Sequence, residues 1–322
     1  MKYCYHTTLL ALALVLFFPL SLGAQEVEQG ADEVEQFDRF GLEEPDQEAL
    51  TTFLVGQTGH GALLGLQSCG LTSDCYDSER ATATSVLIGS AAGLGASFLY
   101  SRQTDITLGR ATAKNFGTVL GGATGLLTVI AIDDHFDDAR TPIFAMMGGQ
   151  FLGLTGGHYL GRHFHATAGD IFLMESGALW TTLLFSGTNF QILDRDPSSR
   201  GVALSYIGTL TLGSLGGAVL ASQQPMTRDR VRLVDLGGAL GGLLGFTAGR
   251  YSRGEDATPS QRSRAQWSGA TIGAAAGLGT AFALTASFDD PDLFSDSSSS
   301  TSFGIAPADE DGGFQATLQG SF

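Results

Sequence analysis

Small residues recur at every fourth position in most apolar stretches of the chain. The two clearest runs are Gly149, Gly153, Gly157 and Gly161, then Gly237, Gly241, Gly245 and Gly249. Residues i and i+4 lie on one face of an α-helix, so each run predicts a glycine ridge. Such a ridge lets two helix backbones approach closely, as is common between membrane helices. Because glycine costs about 1 kcal/mol in a helix interior relative to alanine, close packing has to compensate.

Sliding the sequence against itself by 60 residues aligns many of these positions. One column is glycine throughout: Gly93, Gly153, Gly213 and Gly273. Further columns keep one residue type over three units: Thr107, Thr167 and Thr227, and Arg80, Arg140 and Arg200. A fixed period of this length is typical of repeat architectures, so we predict four tandem 60-residue repeats, each with two helices.

The predicted fold is mainly α, with eight glycine-zipper helices in these repeats. The apolar segments assigned to helices are 49–68, 83–101, 111–132, 142–161, 171–189, 202–222, 231–251 and 265–287. An outer-membrane β-barrel is the alternative, because an i+4 spacing also keeps residues on one face of a strand. Barrel strands alternate apolar and polar residues. Between Phe116 and Ile132 neither alternate set is polar, which favours helices.

The N-terminal sequence predicts export. Lys2, the apolar run from Leu9 to Leu22 and the small residues up to Ala24 indicate a signal peptide over residues 1–24. Residues 25–48 are rich in acids and predict a disordered arm. The helical repeat domain is then residues 49–288, followed by a Ser/Asp-rich linker over 289–301.

Residues 302–322 predict a C-terminal β-hairpin. Its last stretch places apolar or small residues at alternate positions: Phe314, Ala316, Leu318, Gly320 and Phe322. An alternating strand that ends the chain on phenylalanine resembles the terminal strand of bacterial outer-membrane proteins. The resemblance covers residues 314–322 and implies recognition by the outer-membrane assembly machinery; the alternative is a strand that simply docks on the helices.

Composition limits the function classes. The net charge of −16 excludes nucleic acid as an expected partner, because phosphate binding needs a basic face. Removal of the signal peptide leaves Cys69 and Cys75, which are expected to form a disulfide in an oxidising compartment. No pattern of a serine or cysteine nucleophile is present, so an enzyme is not expected.

Three motifs could have a chemical role, but for each of them a purely structural role is favoured. The acidic turn Asp133–Asp138 could hold a hard cation but reads more simply as a surface turn. His158, His163 and His165 could bind zinc, although no further ligand is implied. Gly237–Gly241 approaches a dinucleotide fingerprint without the preceding strand that such a motif needs. We therefore predict no catalytic, cofactor-binding or metal residues.

One polar column is more informative. Glu175, Asp235 and Asn115 share a repeat position inside or beside apolar helices. Acids within a membrane are costly and often functional. At a helix N-terminus they would instead cap backbone N–H groups, which is the interpretation that we favour.

The eight segments are close to the length that crosses a bilayer. The predicted function is therefore a non-enzymatic integral or membrane-associated envelope protein with a structural or small pore or carrier role. A soluble periplasmic helical scaffold that binds a protein partner is the alternative. Membrane lipid is the expected partner, and the outer membrane is favoured over the periplasm. Arg102, Arg110 and Lys114 make one connection basic, but the acidic arm shares its side, so the orientation stays open.

Overall fold

A computed structural model describes residues 47–72, 75, 78–133, 140–164, 166–192, 198–253, 257–289, 302–307 and 314–319. The chain is mainly helical there, as predicted, and the β-barrel alternative does not hold for residues 47–289 as far as they are described. The predicted signal peptide, most of the acidic arm and almost all of the linker lie outside the described residues.

The eight α-helices of the described residues correspond one by one to the predicted segments. Their bounds are α1 Gln47–Gly70, α2 Glu79–Ser101, α3 Leu108–Ile132, α4 Arg140–His163, α5 Ala168–Ser186, α6 Ser199–Gln223, α7 Arg228–Tyr251 and α8 Pro259–Leu284. A π-helical segment, Gly187–Ile192, continues α5, and a 3₁₀ turn, Ala286–Asp289, follows α8. Strands β1, Ser302–Pro307, and β2, Phe314–Gln319, pair antiparallel with Ser302 opposite Gln319.

Threonine or serine side chains set where most helices begin. Thr107, Thr167 and Thr227 precede α3, α5 and α7, and each hydroxyl accepts a hydrogen bond from the backbone N–H three residues later. This bond satisfies one of the N–H groups that the first helical turn leaves unpaired. These caps explain the threonine column of the sequence. They also explain why the helices start about three residues earlier than the predicted segments, whose starts followed the first apolar residues.

Consecutive helices form four antiparallel hairpins, α1–α2, α3–α4, α5–α6 and α7–α8, and glycines face one another in each. A Cβ atom placed on Gly153 would lie 2.7 Å from the carbonyl carbon of Gly117. A Cβ atom on Gly213 would lie 2.7 Å from that of Gly177. Real Cβ atoms do not approach so closely, so only hydrogen fits at these contacts.

The first helices of the hairpins pack in the order α1, α3, α5, α7. Helix α3 also packs against α6, and α8 packs against the π-helical segment. The hydrophobic core lies at the end where these helices begin. It consists of three clusters, around Phe53 and Ala111, around Phe116 and Ile171, and around Leu173 and Val231. In α2 only Ser97 is buried, and in α8 only Ala274 is buried. Both helices therefore keep most of their surface outside the core.

The predicted disulfide joins Cys69, at the end of α1, to Cys75 in the turn before α2. Their Cα atoms lie 5.3 Å apart, and Cys69 is buried. The bond closes the turn of the first hairpin. Its loop is too short to restrict the unfolded chain much, so its contribution to stability is local.

The facing glycines yield a prediction that alanine can test. Gly153→Ala and Gly213→Ala should lower the melting temperature, because overpacking costs about 1–3 kcal/mol and exceeds the gain of about 1 kcal/mol in helix propensity. Gly148 and Gly216 are matched controls on the same two helices, since a Cβ atom there meets nothing within 4 Å. Gly148→Ala and Gly216→Ala should be neutral or stabilising. Equal melting temperatures across all four variants would contradict the close glycine packing.

Candidate functional site

The polar column Asn115, Glu175 and Asp235 does not cap helices. Each residue lies eight positions after the threonine that caps its helix, Thr107, Thr167 or Thr227. The capping interpretation is therefore wrong, because the cap position was already taken by a residue better suited to it. The column lies instead two turns into the helix, on the row where α1, α3, α5 and α7 pack.

Two members of the column join neighbouring hairpins by hydrogen bonds. Asn115 donates from Nδ2 to the carbonyl oxygen of Thr52 at 3.1 Å and accepts from Nε2 of Gln57 at 3.0 Å, which ties α3 to α1. Asp235 accepts from Oγ of Ser176 at 2.5 Å and from Nε1 of Trp180 at 2.8 Å, which ties α7 to α5.

The third member, Glu175, lies within electrostatic range of Asp235 and Arg232. It thus extends the polar row between α5 and α7. Interhelical hydrogen bonds of this kind contribute about 1 kcal/mol each between membrane helices. The column is therefore explained as a polar join between hairpins.

A cavity of about 730 Å³ lies between the first two hairpins. Helices α1 and α2 form one wall, and α3 and α4 contribute the other. Most of the lining is apolar or small, and its larger members are Leu64, Ile88, Phe151 and Leu154. The volume falls within the range of about 300–1,000 Å³ that is usual for small-molecule sites.

Lys114 gives this cavity a cation. Its side chain is only 5% exposed, and its Nζ atom lies 3.7 Å from the ring centroid of Tyr100 and 4.9 Å from that of Phe53. Among the described residues no carboxylate pairs with Lys114; Tyr100 is its side-chain hydrogen-bond partner, and Arg110 and His158 lie within electrostatic range. Stacking on aromatic faces offsets part of the cost of burying an ammonium group, but it supplies no opposite charge.

Other polar groups converge on the same cavity. The Tyr100 hydroxyl and Nδ1 of His158 lie 3.3 Å apart. Gln150 is 3% exposed, and its Oε1 atom has no hydrogen-bond partner among the described residues; Nδ1 of His60, in a side chain that is 9% exposed, has none there either. Buried polar atoms are nearly always paired, so unpaired ones beside a cavity mark a place where a ligand could bind.

The structure describes only part of the motifs weighed for chemistry in the sequence. His158 contacts Tyr100, whereas His163 stacks on Tyr159 with ring centroids 4.3 Å apart, and His165 lies outside the described residues. Of the acidic turn only Asp133 is described. No group of three potential metal ligands occurs in the part of the chain that the structure describes.

The glycines from Gly237 to Gly241 lie inside α7, where Gly241 faces Gly273 of α8. They therefore serve helix packing and do not follow a strand, as a dinucleotide fingerprint would require.

The residues of the cavity were not recognised from the sequence as a set. Lys114 was counted as a charge of the connection before α3, whereas it lies in the second turn of that helix and is buried. One signal was available, because Lys114 is the only lysine besides Lys2 and an apolar stretch follows it directly. His60 and Gln150 are single polar residues in apolar segments and gave no comparable signal.

No family model, no curated protein and no solved structure matches the chain.

The polar column makes a prediction for stability. Asp235→Leu should lower the free energy of unfolding by about 1–3 kcal/mol, because the Ser176 hydroxyl and the Trp180 indole lose their acceptor. Asp235→Asn keeps one oxygen acceptor and should lose less. Asp229→Asn, at a side chain that is 79% exposed on the same helix, is the control and should change little. Thermal unfolding followed by circular dichroism measures the effect. An Asp235→Leu variant as stable as the parent would show that α5 and α7 are held by other contacts.

Proposed function

We propose that this chain is a non-enzymatic integral membrane protein of the bacterial cell envelope, with a structural or carrier role. In this proposal it is built from four copies of a glycine-ridged helical hairpin. The observation that carries the proposal is the exposure of apolar side chains along helices long enough to span a bilayer.

Four helices have the length and composition of membrane spans: α2, α3, α6 and α7, each of 23–25 residues. About 20 apolar residues cross the hydrocarbon core. In the most apolar window only 6% of the residues of α2 and 17% of those of α7 are buried. The exposed side chains include Leu87, Leu212, Leu243 and Leu244, each at least 64% exposed. Apolar surface of this extent is unusual on a soluble monomer and supports contact with lipid.

The repeat hypothesis draws support from both ends of the hairpins. The capping threonines of α3, α5 and α7 are spaced by 60 residues. The caps of α2, α6 and α8 also differ in number by multiples of 60, and they are Ser78, Ser198 and Thr258. The glycines Gly93, Gly153, Gly213 and Gly273, one per hairpin, all face the partner helix. A duplicated hairpin accounts for both series at once.

We propose that the chain is located in the outer membrane. Lipid would be its main partner, and another envelope protein could be a second one. The support is the resemblance of residues 314–322 to a terminal outer-membrane strand, together with the predicted signal peptide.

A soluble periplasmic scaffold is the second candidate. It is favoured by the other four helices, α1, α4, α5 and α8, which do not qualify as candidate spans. The first turns of α8 carry Arg262 and Arg264, which suit water better than lipid. In that case the exposed leucines would bind a protein partner.

Membrane fractionation separates the two candidates. We expect the full chain to stay in the envelope pellet after washing at alkaline pH and to need detergent for extraction. A protein that is released by the wash and stays monodisperse without detergent would support the soluble scaffold instead.

Two arginine substitutions on α7 sharpen this test. Leu244→Arg should reduce the yield of folded membrane-inserted protein strongly, because a charge near the centre of a bilayer costs about 3 kcal/mol or more. Tyr251→Arg, at an 82% exposed residue that ends the same helix, should be tolerated since its charge can reach the interface. If the two variants behave alike, the exposed face of α7 does not contact lipid.

A further inference from the structure

The cavity between the first two hairpins combines features that point to one class of ligand. We propose that it binds a single-chain fatty acid, or an amphiphile of that shape, with Lys114 as the counter-ion of the carboxylate. This site involves only α1–α4 and does not depend on whether the exposed faces of the other hairpins contact lipid.

The buried cation calls for an anionic partner. An ammonium group that is removed from water without a paired charge is costly. Lys114 is held between two aromatic rings and its donors have no carboxylate acceptor among the described residues. A carboxylate at Nζ would supply the opposite charge and accept a charge-assisted hydrogen bond, which is stronger than a hydrogen bond between neutral groups.

The surroundings of Lys114 also favour an anion. Arg110, Arg162 and His163 all lie within electrostatic range of His158, which contacts Tyr100 beside Lys114. The chain as a whole carries a net charge of −16, so this concentration of positive charge is local. It would raise the local concentration of an anionic ligand and orient its head group.

The rest of the cavity suits an acyl chain. Its lining follows α1 from Phe53, near Lys114, to Ser68, near the disulfide, a span of roughly 22 Å at 1.5 Å per residue. Glycines and alanines of α2, such as Gly89 and Ala92, form a low wall, and Leu64 and Ile88 line the same stretch. Lys114, Tyr100 and His158 thus lie toward one end, and the other end is lined by Leu64, Ile88 and small residues that include Ser68 and Ser85. This polarity matches a linear amphiphile that lies along the first hairpin.

The charge and the volume of the cavity argue for a single chain. Among the described residues, Lys114 is the only cation that lines the cavity apart from the titratable histidines His60 and His158, which matches a monoanionic head. A cavity of about 730 Å³ lies in the middle of the usual range for small ligands. A phospholipid with two chains and a larger head group is therefore the less suitable occupant.

The test is binding of hexadecanoate to the purified full-length protein in a non-ionic detergent, measured with radiolabelled ligand. Hexadecanoate should bind at a stoichiometry near one. Hexadecanol, which has the same chain without the charge, should bind at least about tenfold more weakly, since a hydrogen-bonded charge pair accounts for about 1.5–3 kcal/mol. This comparison uses the unmodified chain, so it does not depend on a variant that folds.

Substitutions then locate the head group. Lys114→Met keeps an unbranched chain between the rings without the charge, and it should weaken hexadecanoate about 10- to 100-fold while leaving hexadecanol unchanged. Lys114→Arg should restore most of the affinity. Arg102→Met is the matched control, because Arg102 also stacks on an aromatic ring, Phe98, but does not line the cavity. It should bind hexadecanoate like the parent.

Three outcomes would overturn the proposal. They are the absence of saturable hexadecanoate binding, equal binding of hexadecanoate and hexadecanol, and displacement of hexadecanoate by a two-chain phosphatidate at lower concentration than by unlabelled hexadecanoate. Failure of the membrane fractionation test would leave these results unchanged, so the two proposals are distinguishable.

Discussion

Direct contact between helix backbones is the interaction on which the rest of this structure depends. In every hairpin the glycine faces of two helices approach until the carbonyl of one lies against the Cα of the other, as between Gly121 and Gly149 or between Gly241 and Gly273. The hydrogen that replaces each Cβ then points at a carbonyl oxygen, and weak Cα–H···O contacts of about 0.5–1 kcal/mol can form along the ridge. Many such contacts, together with dispersion across the closely packed backbones, offset the low helix propensity of glycine.

This packing decides where the remaining space lies. Helices that touch along their backbones bury few side chains between them, so the larger apolar side chains lie on other faces of the helices. One set builds the core where α1, α3, α5 and α7 begin, and polar joins through Asn115 and Asp235 hold the same row. A second set, including Leu87 and Leu244, faces outward. The first two hairpins leave a space between them, which is the cavity around Lys114. One packing mode therefore links the fold, the proposed membrane contact and the proposed ligand site.

The sequence pattern predicted the helices well because a small residue at every fourth position is a local signal that survives in any arrangement of neighbours. It placed Gly153 and Gly213 correctly on packing faces. It failed for Asn115 and Asp235, since a single sequence does not tell which helix will face a polar side chain, and the cap at Thr107 or Thr227 was overlooked. The cavity could not be predicted from the sequence for the same reason. Lys114, Tyr100 and His158 come from three helices, and only the order of packing of the hairpins brings them together.

The most direct test of the backbone contact is nuclear Overhauser transfer between glycine α-protons on facing helices, in protein labelled selectively at glycine and folded in detergent or nanodiscs. A Cβ on Gly121 would lie 2.8 Å from the Cα of Gly153, so the α-protons of these residues should give a strong cross-peak. Gly148, on the open face of α4, should give none to α3. If Gly153 shows only contacts within its own helix while its signals are otherwise well resolved, the two backbones do not touch and the account of the hairpins is contradicted.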